Sequence, residues 1–298
     1  MRIIAHRRLY YIFSGVLIAG SVVALLSFGL RFGIDFTGGS LLEARFPDGA
    51  PEQRTVSEKL TPLTESLSIQ QSGSDILVLR FRDVTEERHQ EILTALREIA
   101  PNVEELRFDS LGPTIGRELE RRGILAIALG LLAIMFYIAW AFRGSSRRVP
   151  SWQYGTITAA VALFHDVLIP LGAFAVLGKV RGVEVNTPFI AAILTVLGYS
   201  VHDTIVVFDR VRENVRRFAG DPFPEIVERA VRQTLGRSLN TSLTVLFAIA
   251  AVWHFGGVAI EAFAVTLFLG VVFGTYSSIF IAPPVLVTIQ EWLRQRRR

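Results

Sequence analysis

The sequence predicts an α-helical polytopic membrane protein with six transmembrane helices and a small α+β domain inserted between helices one and two. Three observations carry this. The 298-residue chain is 51% hydrophobic and only 19% charged, with a mean hydropathy of +0.42, whereas soluble domains carry about a quarter charged residues. The apolar residues gather in six windows, 11–30, 124–142, 155–178, 188–208, 239–256 and 262–289, each long enough to cross about 30 Å of hydrocarbon as a helix. Between the first two windows lies a long segment, 32–122, whose apolar residues follow strand and helix periods instead.

The elements follow in chain order. Arg2, Arg7 and Arg8 precede the first window, which resembles a secretory leader. The run is long, however, and ends in Arg31 and Gly33-Ile34-Asp35 rather than in a small-residue cleavage site. Residues 1–31 therefore read as a cytoplasmic amino terminus and an uncleaved first span. Segment 32–122 starts with a strand over 40–46, closed by the turn Pro47-Asp48-Gly49. An amphipathic helix over 51–67 places Val56, Leu60, Leu63 and Leu67 on one face. Ile69 and residues 76–81 give two short strands around Ser72-Gly73-Ser74. A second helix over 86–99 aligns Ile92, Leu93, Leu96 and Ile99, and a last strand covers 103–108. This β-α-β-β-α-β order predicts a ferredoxin-like domain. Its one histidine, His89, reads as part of a solvated helix surface. Residues 123–298 hold spans two to six, their loops and a basic tail. Pro283-Pro284 should break the last span. Segment 209–238 reads as a solvated or interfacial helical hairpin that breaks at Gly220-Asp221-Pro222, with a second short helix after it.

Charge sets the orientation. Seventeen Lys and Arg fall at the amino end, in loop 143–154, in segment 209–238 and in the tail, including Arg2, Arg143, Arg147, Arg148, Arg297 and Arg298. On the opposite side only Arg31, Lys179 and Arg181 adjoin spans. The eleven in segment 32–122 count for little, because long domains translocate largely regardless of charge. Both termini should be cytoplasmic, in a multi-pass protein of the plasma membrane, with 32–122 outside. No basic patch is interleaved with aromatics, so nucleic acid is not an expected partner. The absence of cysteine excludes disulfides and thiolate metal sites. No catalytic constellation or nucleotide-binding glycine loop occurs, and neither an enzyme nor a bound cofactor or metal is expected.

Two acids lie inside predicted spans: Asp166 in the third and Asp203 in the fourth. A carboxyl at a helix centre costs about 2.5–3.5 kcal/mol on insertion scales, and such residues mark ion or proton paths. Asp203 has the richer surroundings, with hydroxyls at Tyr199, Ser200 and Thr204 within one turn and Gly198 to admit a close helix. Arg237 at the start of the fifth span can serve as its counter-charge. His165 and His202 adjoin the two acids and could relay protons.

Three stretches resemble the SecD/SecF family of protein-export membrane proteins, within the resistance-nodulation-division transporter superfamily. Phe32-Gly33-Ile34-Asp35-Phe36-Thr37-Gly38-Gly39 is similar to the family's signature after the first span. The fourth-span run from Gly198-Tyr199-Ser200 through His202-Asp203-Thr204 to Asp209-Arg210 resembles its SecF branch, as does Gly274-Thr275-Tyr276-Ser277-Ser278 in the last span. The chain departs from the pattern at His202, where asparagine is more usual, and at Pro170 after the third-span His-Asp pair. The resemblance implies a subunit that pairs with SecD in an accessory complex of the Sec preprotein translocase and uses the proton motive force in late steps of export. It implies a proton path through Asp203 and Arg237, with Asp166, His165 and His202 as further candidates and sodium as an alternative ion. The implied partners are SecD, the SecYEG translocon, YajC- or YidC-type proteins, unfolded preprotein and lipids. Two rival readings stay open: half of an exporter of small molecules or lipids, and a non-transporting scaffold subunit.

Overall fold

The computed structural model describes residues 3–141, 151–256 and 258–296; Arg2, Arg143, Arg147, Arg148, Arg297 and Arg298 lie outside them. Among the described residues, six helices are long and apolar enough to cross a membrane. The chain divides into two compact units, a helical one (1–30, 125–183 and 188–298) and an α+β one (31–124 with 184–187).

In the α+β unit a single helical turn, α2 (Ile34–Thr37), leads into β1 (Gly39–Arg45), α3 (Gln53–Leu60), β2 (Ser68–Ser72), β3 (Ile76–Phe81), α4 (Glu86–Ile99) and β4 (Glu104–Leu111). The first span, α1 (Arg7–Phe28), precedes them. The strands form one antiparallel sheet in the order β2-β3-β1-β4, the ferredoxin-like arrangement. Leu42 pairs with Leu79 and Phe108 across the sheet, and a bulge interrupts the β1–β4 register between Glu43 and Ala44. Alternate residues of β1 and β3 (Leu42 and Ala44; Leu77, Leu79 and Phe81) face Val56 and Leu60 of α3 and Ile92, Leu93 and Leu96 of α4, forming one dry core.

Two expectations need correcting here. The helix expected over 51–67 ends at Leu60: Pro62 has no N–H to continue the ladder, and Leu63 and Leu67 reach the core from irregular chain. His89 is buried, not solvated. It stacks flat on Phe108 at 3.6 Å, with Nδ1 3.2 Å from Glu86 and Nε2 3.4 Å from Glu105.

The helical unit takes in α1, most of α5 (Pro113–Ala141), α6 (Ser151–Arg181), α7 (Thr187–Arg217), α8 (Phe223–Phe255), α9 (Val258–Phe280) and α10 (Ala282–Arg296). Pro283-Pro284 falls where α9 gives way to α10, as the sequence predicts; Pro170 lies inside α6 without ending it. The segment 209–238 forms the expected helical hairpin but differs in how its helices are built. Its two helices are the ends of α7 and α8, each continuous with a span, and only 218–222 is a turn. Once an apolar span is a helix, adding residues to its end needs no new nucleus.

Small residues set the helix seams. A Cβ on Gly172 of α6 would collide with Ser21 of α1, and one on Gly270 of α9 with Val196 of α7. Gly198, expected to admit a neighbour, instead faces open space. At the amino end the Ile3 and Ile4 N–H groups both donate to the Glu228 carboxylate of α8, at 3.0 and 2.8 Å, and Arg7 pairs with Glu291 of α10 at 2.7 Å.

Candidate functional site

The spans are apolar outside and hydroxyl-rich inside, and both intramembrane acids sit in that interior. Asp166 of α6 is fully buried and surrounded by three polar groups. His165 Nδ1 lies 2.8 Å from Oδ1; Ser277 of α9 donates to Oδ2 at 2.7 Å, and Ser200 of α7 donates to the same oxygen. The His165 ring lies against Tyr276, and its Nε2 has no hydrogen-bond partner among the described residues.

Asp203 of α7 is 6% exposed and accepts hydrogen bonds from Ser238 of α8 at 3.1 Å and Ser278 of α9 at 3.3 Å. Beside it Tyr199 donates to Ser242 at 3.0 Å, and Ser242 lies 2.5 Å from Thr275. Four helices therefore converge on two carboxyls through hydroxyl side chains. Hydroxyls of this kind can satisfy a carboxyl group without a permanent counter-charge.

Not every sequence candidate joins this centre. Arg237 is exposed, one residue before Ser238, and no ion pair links it to Asp203 among the described residues. It lines a groove of about 300 Å³ with Asp209, Arg210, Glu213, Gln233 and Thr234. Arg210 pairs with Glu213 at 2.7 Å. His202 is exposed, one residue before Asp203 on α7, and no hydrogen bond or ion pair links the two among the described residues. Thr204 is buried and donates to the Ser200 carbonyl at 3.2 Å, supporting the helix beside Asp166. Sequence reasoning does not single out Ser277 and Ser278 as partners of the acids. The available signal is a run of hydroxyls in an otherwise apolar span. No group of three His, Asp or Glu able to hold a metal ion occurs among the described residues.

The motif after the first span is a backbone corner in the α+β unit. The Gly33 N–H donates to the Val185 carbonyl at 2.8 Å and the Val185 N–H to the Arg31 carbonyl at 2.7 Å, forming a parallel bridge. Asp35 accepts from the Thr187 N–H at 2.7 Å, an acid placed at the amino end of α7. Phe36 is buried. Gly38 (φ +75°) and Gly39 (φ +124°) occupy conformations that side chains disfavour, and a Cβ on them would lie 2.7 Å from Pro113 Cα and 2.9 Å from the Phe81 carbonyl oxygen. Glu184 completes the corner, 2.9 Å from Arg80 and 3.5 Å from Arg31. Burial pushes its carboxyl above the ordinary range, against the pull of both arginines.

With this geometry in place, the relatives decide the family. The model "Protein export membrane protein SecD/SecF, C-terminal" matches residues 91–292, and the "SecD/SecF GG Motif" matches residues 23–46, which include the corner. The chain belongs to the SecD/SecF family. A protein translocase subunit SecF of Thermobaculum terrenum is 42% identical over 99% of this chain and 96% of that protein. The SecF of Sebaldella termitidis is 36% identical over 98% and 92%. The solved structure of SecDF, a translocon-associated membrane protein from Thermus thermophilus, superposes with a TM-score of 0.85 at 31% identity. This chain is covered to 98% there but spans 39% of that longer chain. Single-chain SecDF proteins join a SecD part to a SecF part, and SecD is therefore the partner of a SecF-type chain in this family.

Proposed function

We propose that this multi-pass membrane protein is the SecF-type half of an accessory complex of the preprotein translocase. Paired with SecD, it uses an ion gradient to promote late steps of protein export across the plasma membrane. The observation that carries the reading is the convergence of α6, α7, α8 and α9 on the buried carboxyls of Asp166 and Asp203. Apolar spans do not retain such groups for packing alone at a cost of about 2.5–3.5 kcal/mol.

In this reading the coupling ion is a proton and Asp203 its principal carrier. Protonated, Asp203 is held by the hydroxyls of Ser238 and Ser278. Ionised, it draws Arg237, which adjoins Ser238 in the chain, and α7 and α8 reposition. One elementary charge moved through 100 mV releases about 2.3 kcal/mol, which biases a two-state equilibrium roughly 50-fold. The α+β unit acts outside the cytoplasm, both termini lie inside, and the SecYEG channel, YajC- or YidC-type proteins, lipids and the unfolded preprotein are the partners. The chain is a transport subunit and carries no enzymatic step of its own.

The test is preprotein export into membrane vesicles under an imposed proton gradient. Asp203→Asn should assemble with SecD at normal abundance and lose the gradient-dependent part of export. Wild-type export by that variant sinks the proton-carrier reading and leaves a scaffold subunit.

A further inference from the structure

Two adjacent serines of α9 each hold one of the two acids. Ser277 Oγ lies 2.7 Å from Asp166 Oδ2 and 3.0 Å from the Gly274 carbonyl oxygen. Ser278 Oγ lies 3.3 Å from Asp203 Oδ2 and 2.9 Å from the Thr275 carbonyl oxygen. Each hydroxyl has one proton and two acceptors in reach. Beside an ionised carboxylate it donates to the acid. Beside a carboxylic acid it can accept, while its own proton turns to the carbonyl one turn back. Ser200 also donates to Asp166 and lies one turn before Asp203 on α7. A Cβ on Gly274 of α9 would lie 3.1 Å from Ser200 Cβ, so the two helices meet closely at this level.

We propose that Ser277 and Ser278 are positioning residues that couple Asp166 to Asp203, so that the two carboxyls titrate as a pair. The inference rests on the reading of Asp203 as proton carrier and extends it to a second acid and to α9. The other titratable groups facing Asp166 are His165 on its own helix and Tyr276 on α9, whose hydroxyl is taken up by Ser14 and the Tyr10 carbonyl of α1. Those around Asp203 are Tyr199 and His202 on α7 and Arg237 on α8. Among the described residues none of these groups contacts both acids, whereas the adjacent serines of α9 hold one acid each.

The experiment is difference infrared spectroscopy of the protonated-carboxyl bands in the intact complex with SecD, in nanodiscs and across pH, with Asp166→Asn and Asp203→Asn to assign the bands. Replacing Asp203 by Asn should move the midpoint of the Asp166 band by about one pH unit. In a background of Ser277→Ala with Ser278→Ala, that movement should vanish although both acids remain. If the double variant does not assemble, either single variant, which removes one oxygen, supports the same comparison.

An unchanged shift in the serine variants overturns the inference, as does an Asp166 band indifferent to Asp203 or absent at every pH. Because the bands are read without export, the two readings fail separately. Wild-type export by Asp203→Asn refutes the carrier role, whereas intact gradient coupling with independent bands refutes only the serine link.

Discussion

Both units bury apolar side chains, but they differ in the polar groups enclosed with them and in what they leave outside. In the α+β unit burial follows apolarity: Leu42, Leu77, Leu79, Ile92 and Leu96 are wholly enclosed, and the charges of Arg54, Glu58 and Arg82 stand outside. In the helical unit Asp166, Ser238, Ser277 and Ser278 are enclosed, while Phe247 and Leu26 are 72% and 83% exposed. The contrast follows from the solvent each unit was selected against. Water rewards hiding hydrocarbon. Lipid gives helices no such drive, so packing of small residues and interior hydrogen bonds must hold them together. Hydroxyl pairs that would be minor surface features in a soluble domain thus become the centre of the helical one.

The contrast can be broken most directly by matched truncations. Leu79→Ala should lower the hydrogen-exchange protection of β1 and β3 amides by about 2–5 kcal/mol. Phe247→Ala, at an exposed position of α8, should stay within about 0.5 kcal/mol. Equal losses from the two would mean that Phe247 is covered by a protein partner.

A comparable effect tests the polar interior. Asp166→Ala leaves the His165 Nδ1 and Ser200 donors without their acceptor, at about 1–3 kcal/mol for each group left unsatisfied. Asp166→Asn keeps an acceptor oxygen and should lose less. Thermal unfolding in nanodiscs separates the two, and equal melting temperatures would remove Asp166 from the list of structural anchors.

The smallest effect concerns Glu184, the largely buried acid of the corner. Its folded-state pKa is raised from 4.5 by burial. Its contribution to stability is therefore present below that ordinary value and is lost as pH rises through the folded one. In wild type the Gly33 and Val185 amides should lose protection across that window, once intrinsic exchange rates are removed. Glu184→Gln should flatten the dependence. A wild-type profile already flat there would contradict the assigned cause.

What was legible in the sequence follows the same division. The order and type of the α+β elements can be read from local periodicity, and α4 has the expected bounds. α3 stops early for a reason also visible in the sequence, Pro62. His89 is harder: its burial depends on Phe108, brought beside it only by the β1–β4 pairing. In the helical unit the spans and the two acids are legible from composition. Their partners are not, because Ser277 and Asp166 are far apart in the chain and no local pattern specifies which helix faces meet. Gly198 shows the limit in reverse, since a small residue permits a close contact without showing that one exists.

The four residues 184–187 have a consequence for how the protein is made. They complete the α+β unit through the Phe32–Val185 bridge, the Asp35–Thr187 bond and the Glu184–Arg80 pair, yet they are translated only after two further spans. At about 5–20 residues per second, the newly made corner at Gly33 waits roughly 8–30 s for its other half. During that interval the exposed N–H of Gly33 and the carbonyl of Arg31 are open to a chaperone or a neighbouring chain. A nascent protein arrested before Glu184 would carry a sheet and helices already formed and a corner not yet closed.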